Sequence, residues 1–120
     1  MQKNVLNRNA ESVIMPDMID ERYIRDFATK IVTTFHPQKV ILFGSYADGD
    51  PTEDSDVDLL VVMDHDKVLN VEQAVEIQLA ATAPFPMDLI VRRPDEIRDR
   101  MAMNDSFLVH LFRSGKVLYG

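Results

Sequence analysis

The apolar residues of this chain follow two rhythms. Between about Asp20 and Phe35, the residues Tyr23, Ile24, Phe27, Ala28, Ile31, Val32 and Phe35 recur at three- and four-residue spacing and form one continuous face. That period predicts an amphipathic helix, which must end before Pro37. Other apolar runs are short and bounded by turn residues, the mark of buried strands. One spans Val40 to Phe43, a second follows Asp56 and Asp58 as far as Val62, and a third is Phe85 to Val91, FPMDLIV, with Asp88 inside it. A further helix is predicted from about Asn70 to Thr82, carrying Val71, Ala74, Val75, Ile77, Leu79 and Ala80, and closed off by Pro84 and Pro86. Pro94 suits the first turn of a helix running towards Asn104, because a proline there lacks only a donor the helix would not use. Ser106 starts a last helix through Phe107, Leu108, Leu111 and Phe112, with Gly115 as its stop and Lys116 to Tyr119 as a closing strand.

Together these elements predict an α+β fold, a small mixed sheet of about four strands with helices packed mainly on one face. Residues 16–120 read as a single domain. Residues 1–15 lack sustained periodicity and read as an N-terminal arm, mobile or irregular, with no assigned role.

The stretch Ile41 to Val62, ILFGSYADGDPTEDSDVDLLVV, carries the chemistry. Side chains two apart on a strand share a face, so Asp56 and Asp58 project together while Val57 and Leu59 turn away. Two carboxylates on one face repel unless a cation lies between them. Magnesium, usually held by one or two carboxylates plus substrate phosphates, is the natural occupant. Gly44 and Ser45 close the preceding strand; a glycine lets a phosphate approach backbone N–H groups, and the serine adds a hydroxyl donor. Asp88 would be costly inside a buried strand unless paired or bound to metal.

Rival readings of the acidic loop fail on spacing. An EF-hand beginning at Asp54 would put Leu59 where glycine is needed and His65 where a bidentate glutamate is needed. A Walker phosphate loop using Gly44 and Gly49 would put Asp50 and Pro51 in the Lys and Ser/Thr positions. A merely solvated acidic turn remains the bland reading. His36, His65 and His110 have no metal-ligand spacing and read as a helix-end, a loop and a helix-surface residue. Arg92 and Arg93 read as solvated strand ends rather than phosphate contacts, the seven methionines as core filler, and Tyr46 as either a base-stacking or a turn-packing residue.

Composition narrows the classes. A chain of 120 residues with 46% hydrophobic content makes one modest core and leaves no room for a separate acceptor-binding domain. Net charge of −7 and a pI near 4.8 weigh against nonspecific nucleic-acid binding, which needs a positive footprint. With no cysteine, disulfides, thiolate zinc sites and cysteine nucleophiles are excluded, in keeping with a cytoplasmic protein. No stretch approaches the ~18 apolar residues of a membrane span.

Gly-Ser, ten residues, then Asp-x-Asp at the head of an apolar strand resembles the signature of the DNA polymerase beta-like nucleotidyltransferase superfamily. The resemblance is nearest to its minimal nucleotidyltransferases, through Gly44, Ser45, Ala47, Gly49, Ser55, Asp56, Asp58 and Leu59. It implies that Asp88 completes a carboxylate triad, that Asp56, Asp58 and Asp88 bind two Mg²⁺ ions, and that Gly44 and Ser45 hold the phosphates of ATP or another nucleoside triphosphate. The implied reaction moves a nucleoside monophosphate to a hydroxyl acceptor, the second ion activating that hydroxyl. In similar small proteins the acceptor side is a helical HEPN-type protein, the two forming toxin–antitoxin pairs in which a tyrosine can receive AMP. One position departs: where that branch carries arginine this chain has Asp48, which removes positive charge near the phosphates. The competing class is a catalytically weak antitoxin or binding module acting by contact; a calcium-loop protein is a third.

Overall fold

Asp20 decides where the first helix starts. Its carboxylate accepts the Arg22 N–H at 2.8 Å, satisfying an amide the helix leaves orphaned, and α1 runs Glu21–Phe35 with Ile24, Phe27, Ala28 and Ile31 buried. It ends at His36, whose left-handed backbone (φ 52°) returns its N–H to the Val32 carbonyl. The computed structural model describes residues 18–120; the expected arm, residues 1–15, lies outside them.

The chain continues through β1 (Lys39–Phe43), α2 (Ser45–Asp48), β2 (Val57–Val62), α3 (Asn70–Ala80), β3 (Met87–Arg92), α4 (Pro94–Ala102), α5 (Ser106–Ser114) and β4 (Lys116–Tyr119). The strands form one mixed sheet in the order β3-β2-β1-β4. Strand β1 pairs antiparallel with β2 and with β4. The β2–β3 pair is parallel, which requires a crossover, and α3 supplies it. The fold is therefore α+β, as the periodicities predict.

Alternation along the strands divides the core between two faces. On the heavier side, Val40, Leu42, Val57, Leu59, Val61, Leu89 and Val91 meet α1 and α3 through Ile24, Phe27, Ile31, Ala74 and Ile77. Phe85, in the loop before β3, seals this layer edge-to-face against Phe27 at 5.9 Å. On the other side, Ile41, Leu60 and Val62 are covered by Leu111 and Phe112 of α5 and Ile97 of α4. Asp105 caps α5 by accepting the Leu108 N–H at 3.1 Å. Gly115 leaves that helix in extended backbone and has room for nothing larger: a Cβ there would lie 2.5 Å from the Leu111 carbonyl oxygen and 2.8 Å from Ile41 Cγ2.

Two local expectations change. The Gly-Ser segment does more than close β1: it is a glycine followed by a four-residue helix, α2, too short to show a period. In α3 only Gln73, Ala74 and Ile77 are buried, while Val71, Val75 and Leu79 face solvent, so its apolar residues do not all belong to the core.

This contrast is measurable by chemical denaturation. Ile77→Ala, at a site with 0% exposure, should cost about 2–5 kcal/mol of folding stability. Leu79→Ala, at 79% exposure, should change it by no more than about 0.5 kcal/mol.

Candidate active site

Because Val57, Leu59 and Val61 point into the heavier core, Asp58 points the other way, onto the face shared by Leu60 and Val62. Register then fixes its neighbours. Phe43 of β1 and Asp88 of β3 lie directly opposite Asp58 on either side, and the next row inward is Ile41, Leu60 and Ile90. Helices α4 and α5 cover the apolar rows. The row Phe43–Asp58–Asp88 stands at the open end of the sheet, where β1 leaves for α2 and β2 and β3 begin.

Asp58 is partly buried, and Asp56 and Asp88 are exposed. Burial of Asp58 pushes its carboxyl pKa up, and the negative charges of Asp88 and Asp56 push it further in the same direction. The expectation that Asp88 is buried is corrected: β3 is an edge strand and Asp88, near its start, is exposed. Asp88 lies opposite Asp58 in register.

Gly44 fits against this carboxylate. Its backbone (φ 74°, ψ −157°) lies in a region that essentially only glycine occupies. A side chain there would collide with Oδ2 of Asp58 and lie 3.2 Å from its Cγ. The glycine thus makes room for Asp58 as well as for any ligand. The Gly44 carbonyl accepts the N–H groups of Ala47 and Asp48 at 3.0 and 2.9 Å, which puts Ser45 at the first position of α2. The acidic loop is pinned by Ser55, whose Oγ accepts the Thr52 N–H at 2.9 Å while its own N–H donates to the Thr52 carbonyl at 3.0 Å.

Other singled-out residues fall outside this row. Tyr46 packs against the heavier core and its hydroxyl accepts the Ile19 N–H at 3.1 Å, so it serves packing. Arg92 lies four residues along β3 from Asp88, about 13 Å away. Arg93 instead ties the loop after β2 to α4: it donates to the carbonyls of His65 and Lys67. Its own N–H donates to Glu96 at 2.8 Å. That bond, the largest influence on Glu96, lowers its pKa. His65 accepts the Lys67 N–H on Nδ1, so its Nε2 donates to Asn70 Oδ1 at 2.7 Å and the ring is a loop strut. Asp48 is exposed at the end of α2.

The donor set is all oxygen and negatively charged, with no cationic side chain among the described residues hydrogen-bonded or ion-paired to it, and suits a hard divalent cation. The three carboxylates do not form a finished cage. Among the described residues, no group of three or more His, Cys, Asp or Glu side chains is gathered so as to hold a metal ion. A cation that brings water and substrate phosphates into its shell needs fewer protein ligands in place beforehand.

A family model described as "Nucleotidyltransferase domain" matches residues 23–108. The chain belongs to the nucleotidyltransferase domain family. Two relatives from Methanocaldococcus jannaschii each carry the name "putative protein adenylyltransferase". One is 32% identical over 104 residues, covering 85% of this chain and 100% of the relative. The other is 36% identical over 70 residues, covering 57% and 70%. A crystal structure titled a "putative nucleotidyltransferase" from Sulfolobus solfataricus aligns with TM-score 0.52 and 28% identity, over 66% of this chain and 70% of that one. This small nucleotidyltransferase therefore has the fold and the transferase class that the Gly-Ser and Asp-x-Asp spacing implied. Among its described residues, no helix is long and apolar enough to cross a membrane.

Two stability measurements follow. Gly44→Ala should cost about 1–3 kcal/mol from backbone strain alone, with the clash against Asp58 added. The folded state holds the Asp58 proton to higher pH than the unfolded chain does, so this residue lowers stability as pH rises through the window from its ordinary to its raised pKa. Metal-free Asp58→Asn should accordingly unfold at a higher temperature than the wild type near neutral pH, and the gap should shrink as pH falls through that window.

Proposed function

We propose that this nucleotidyltransferase is magnesium-dependent and moves AMP from ATP to a hydroxyl group of a protein. The observation that carries the reading is the register that sets Asp58 beside Asp88 and against Gly44 at the open end of the sheet. In this reading Asp56, Asp58 and Asp88 hold magnesium, as two ions, which when bound neutralises the triphosphate and acidifies the acceptor hydroxyl. Gly44 lets backbone N–H groups approach the departing phosphates, and the Ser45 hydroxyl donates to one of their oxygens. Asp88, solvent-facing at the outer end of the row, lies on the side open to an incoming acceptor. The acceptor oxygen forms a bond to the α-phosphorus, the bond from that phosphorus to the bridging oxygen breaks, and pyrophosphate leaves. Positioning and charge neutralisation supply most of the catalysis.

A protein acceptor is supported by the names of the two M. jannaschii relatives. We take a tyrosine of a HEPN-type helical partner, in a toxin–antitoxin pair, as the acceptor. Asp48 and the open arrangement of the three carboxylates favour a second reading, a catalytically weak module that acts on the same partner by contact.

Titrating ATP with and without Mg²⁺ into the wild type and Asp56→Asn separates the two. Magnesium-dependent binding that the substitution abolishes is the expected result, and no binding by either protein would leave only the contact module. Incubation with labelled ATP, Mg²⁺ and a helical partner should then add the mass of AMP to that partner. Asp58→Asn should slow the transfer by about a hundredfold or more.

A further inference from the structure

The carboxylate row ends in an aromatic side chain. Phe43 is the cross-strand partner of Asp58, and its ring meets that of Phe107 at 5.7 Å with the planes 86° apart. Phe107 belongs to the first turn of α5, yet it is 48% exposed, whereas Leu108 and Leu111 of the same helix are 2% and 1% exposed. An edge-to-face pair leaves one aromatic face uncovered by its partner. The half-exposed ring therefore lies one side chain away from Asp58, on the carboxylate face of the sheet and on the far side of Asp58 from Asp88.

We infer that the Phe43–Phe107 pair is the nucleobase platform of this enzyme, with Phe107 stacking on the base and Phe43 holding the Phe107 ring in place. The inference rests on the reading of the carboxylate row as a nucleotide site. With the triphosphate at Gly44 and Asp58, the nucleoside extends either towards Asp88, where the acceptor must enter, or towards Phe43. Among the described residues, the second direction offers an aromatic face, and the first offers Asp88 at the sheet edge. Every base has a π-face, so stacking alone tolerates all four bases, and a purine gains the larger overlap. The platform therefore prefers purine to pyrimidine nucleotides without a hydrogen-bond code. Phe43 acts as a positioning residue, because it is held on β1 and is the less exposed member of the pair.

Calorimetric titration of the full chain with Mg·ATP and with Mg·tripolyphosphate tests this. Tripolyphosphate has the phosphates without the base. The wild type should bind Mg·ATP more tightly than Mg·tripolyphosphate; Phe107→Ala should lose about tenfold in ATP affinity and bind tripolyphosphate unchanged. Phe107→Leu, which keeps the apolar contact with Phe43 and so guards against a folding defect, should behave like Phe107→Ala, and Phe107→Tyr should retain wild-type affinity. Equal ATP affinity in the wild type and Phe107→Leu would overturn the platform while leaving the nucleotide site standing. So would an effect confined to the KM for the protein acceptor, which would make Phe107 a docking residue. Failure of the wild type to bind either ligand would overturn the nucleotide site itself.

Discussion

Two like charges, Asp58 and Asp88, face each other at one end of a small sheet, and the backbone ladder holds them side by side. Strand β2 is central, hydrogen-bonded to β1 on one side and β3 on the other, so Asp58 cannot move away from Asp88 without breaking pairs in the middle of the sheet. Two apolar layers lock that ladder. Val57, Leu59 and Val61 are anchored beneath α1 and α3, and Leu60 and Val62 beneath α4 and α5. A slip of one residue would turn every one of these side chains to the wrong layer. Burial first, and then the charges of Asp88 and Asp56, raise the pKa of Asp58, and the core on both faces of β2 holds the carboxylate in that setting.

Much of this was legible in the amino acids because the helices and strands announce themselves by period. Asp20, Pro37, Pro94 and Ser106 mark their boundaries to within a residue or two. The spacing from Gly44 to Asp58 carried the family. What escaped was context that no single segment contains. The run Phe85 to Val91 is as apolar as a central strand, and only the sheet order shows that β3 lies at an edge with Asp88 exposed. Valines and leucines spread around α3 give no reason to choose Ala74 and Ile77 as the buried pair over Val75 and Leu79. Helix α2 has too few residues for any period. Tyr46 looked equally suited to a ligand and to the core until its hydroxyl was found bonded to the Ile19 backbone. Phe107 was legible only as a helix residue, since its neighbour Phe43 lies more than sixty positions earlier in the chain.

The two ends of the sheet do different work. At the end where β2 and β3 begin, glycine, serine and carboxylates leave backbone and charge accessible. At the other, Arg93, His65, Asn70 and Glu96 form a closed hydrogen-bonded strut between the loop after β2 and the start of α4. Such a strut rigidifies the crossover that fixes β3 against β2, and with it the pairing of Asp58 and Asp88.

The parallel pairing of β2 with β3 also has a consequence in time. Asp58 and Asp88 are neighbours in space but are joined by the entire α3 crossover, and a loop of that length must close before they can meet. A nascent or partly unfolded chain that holds only the Gly-Ser and Asp-x-Asp segment has two of its acidic groups and no third. Docking of β3 against β2 is therefore the step that sets Asp58 beside Asp88, and that pairing arises together with tertiary structure rather than ahead of it.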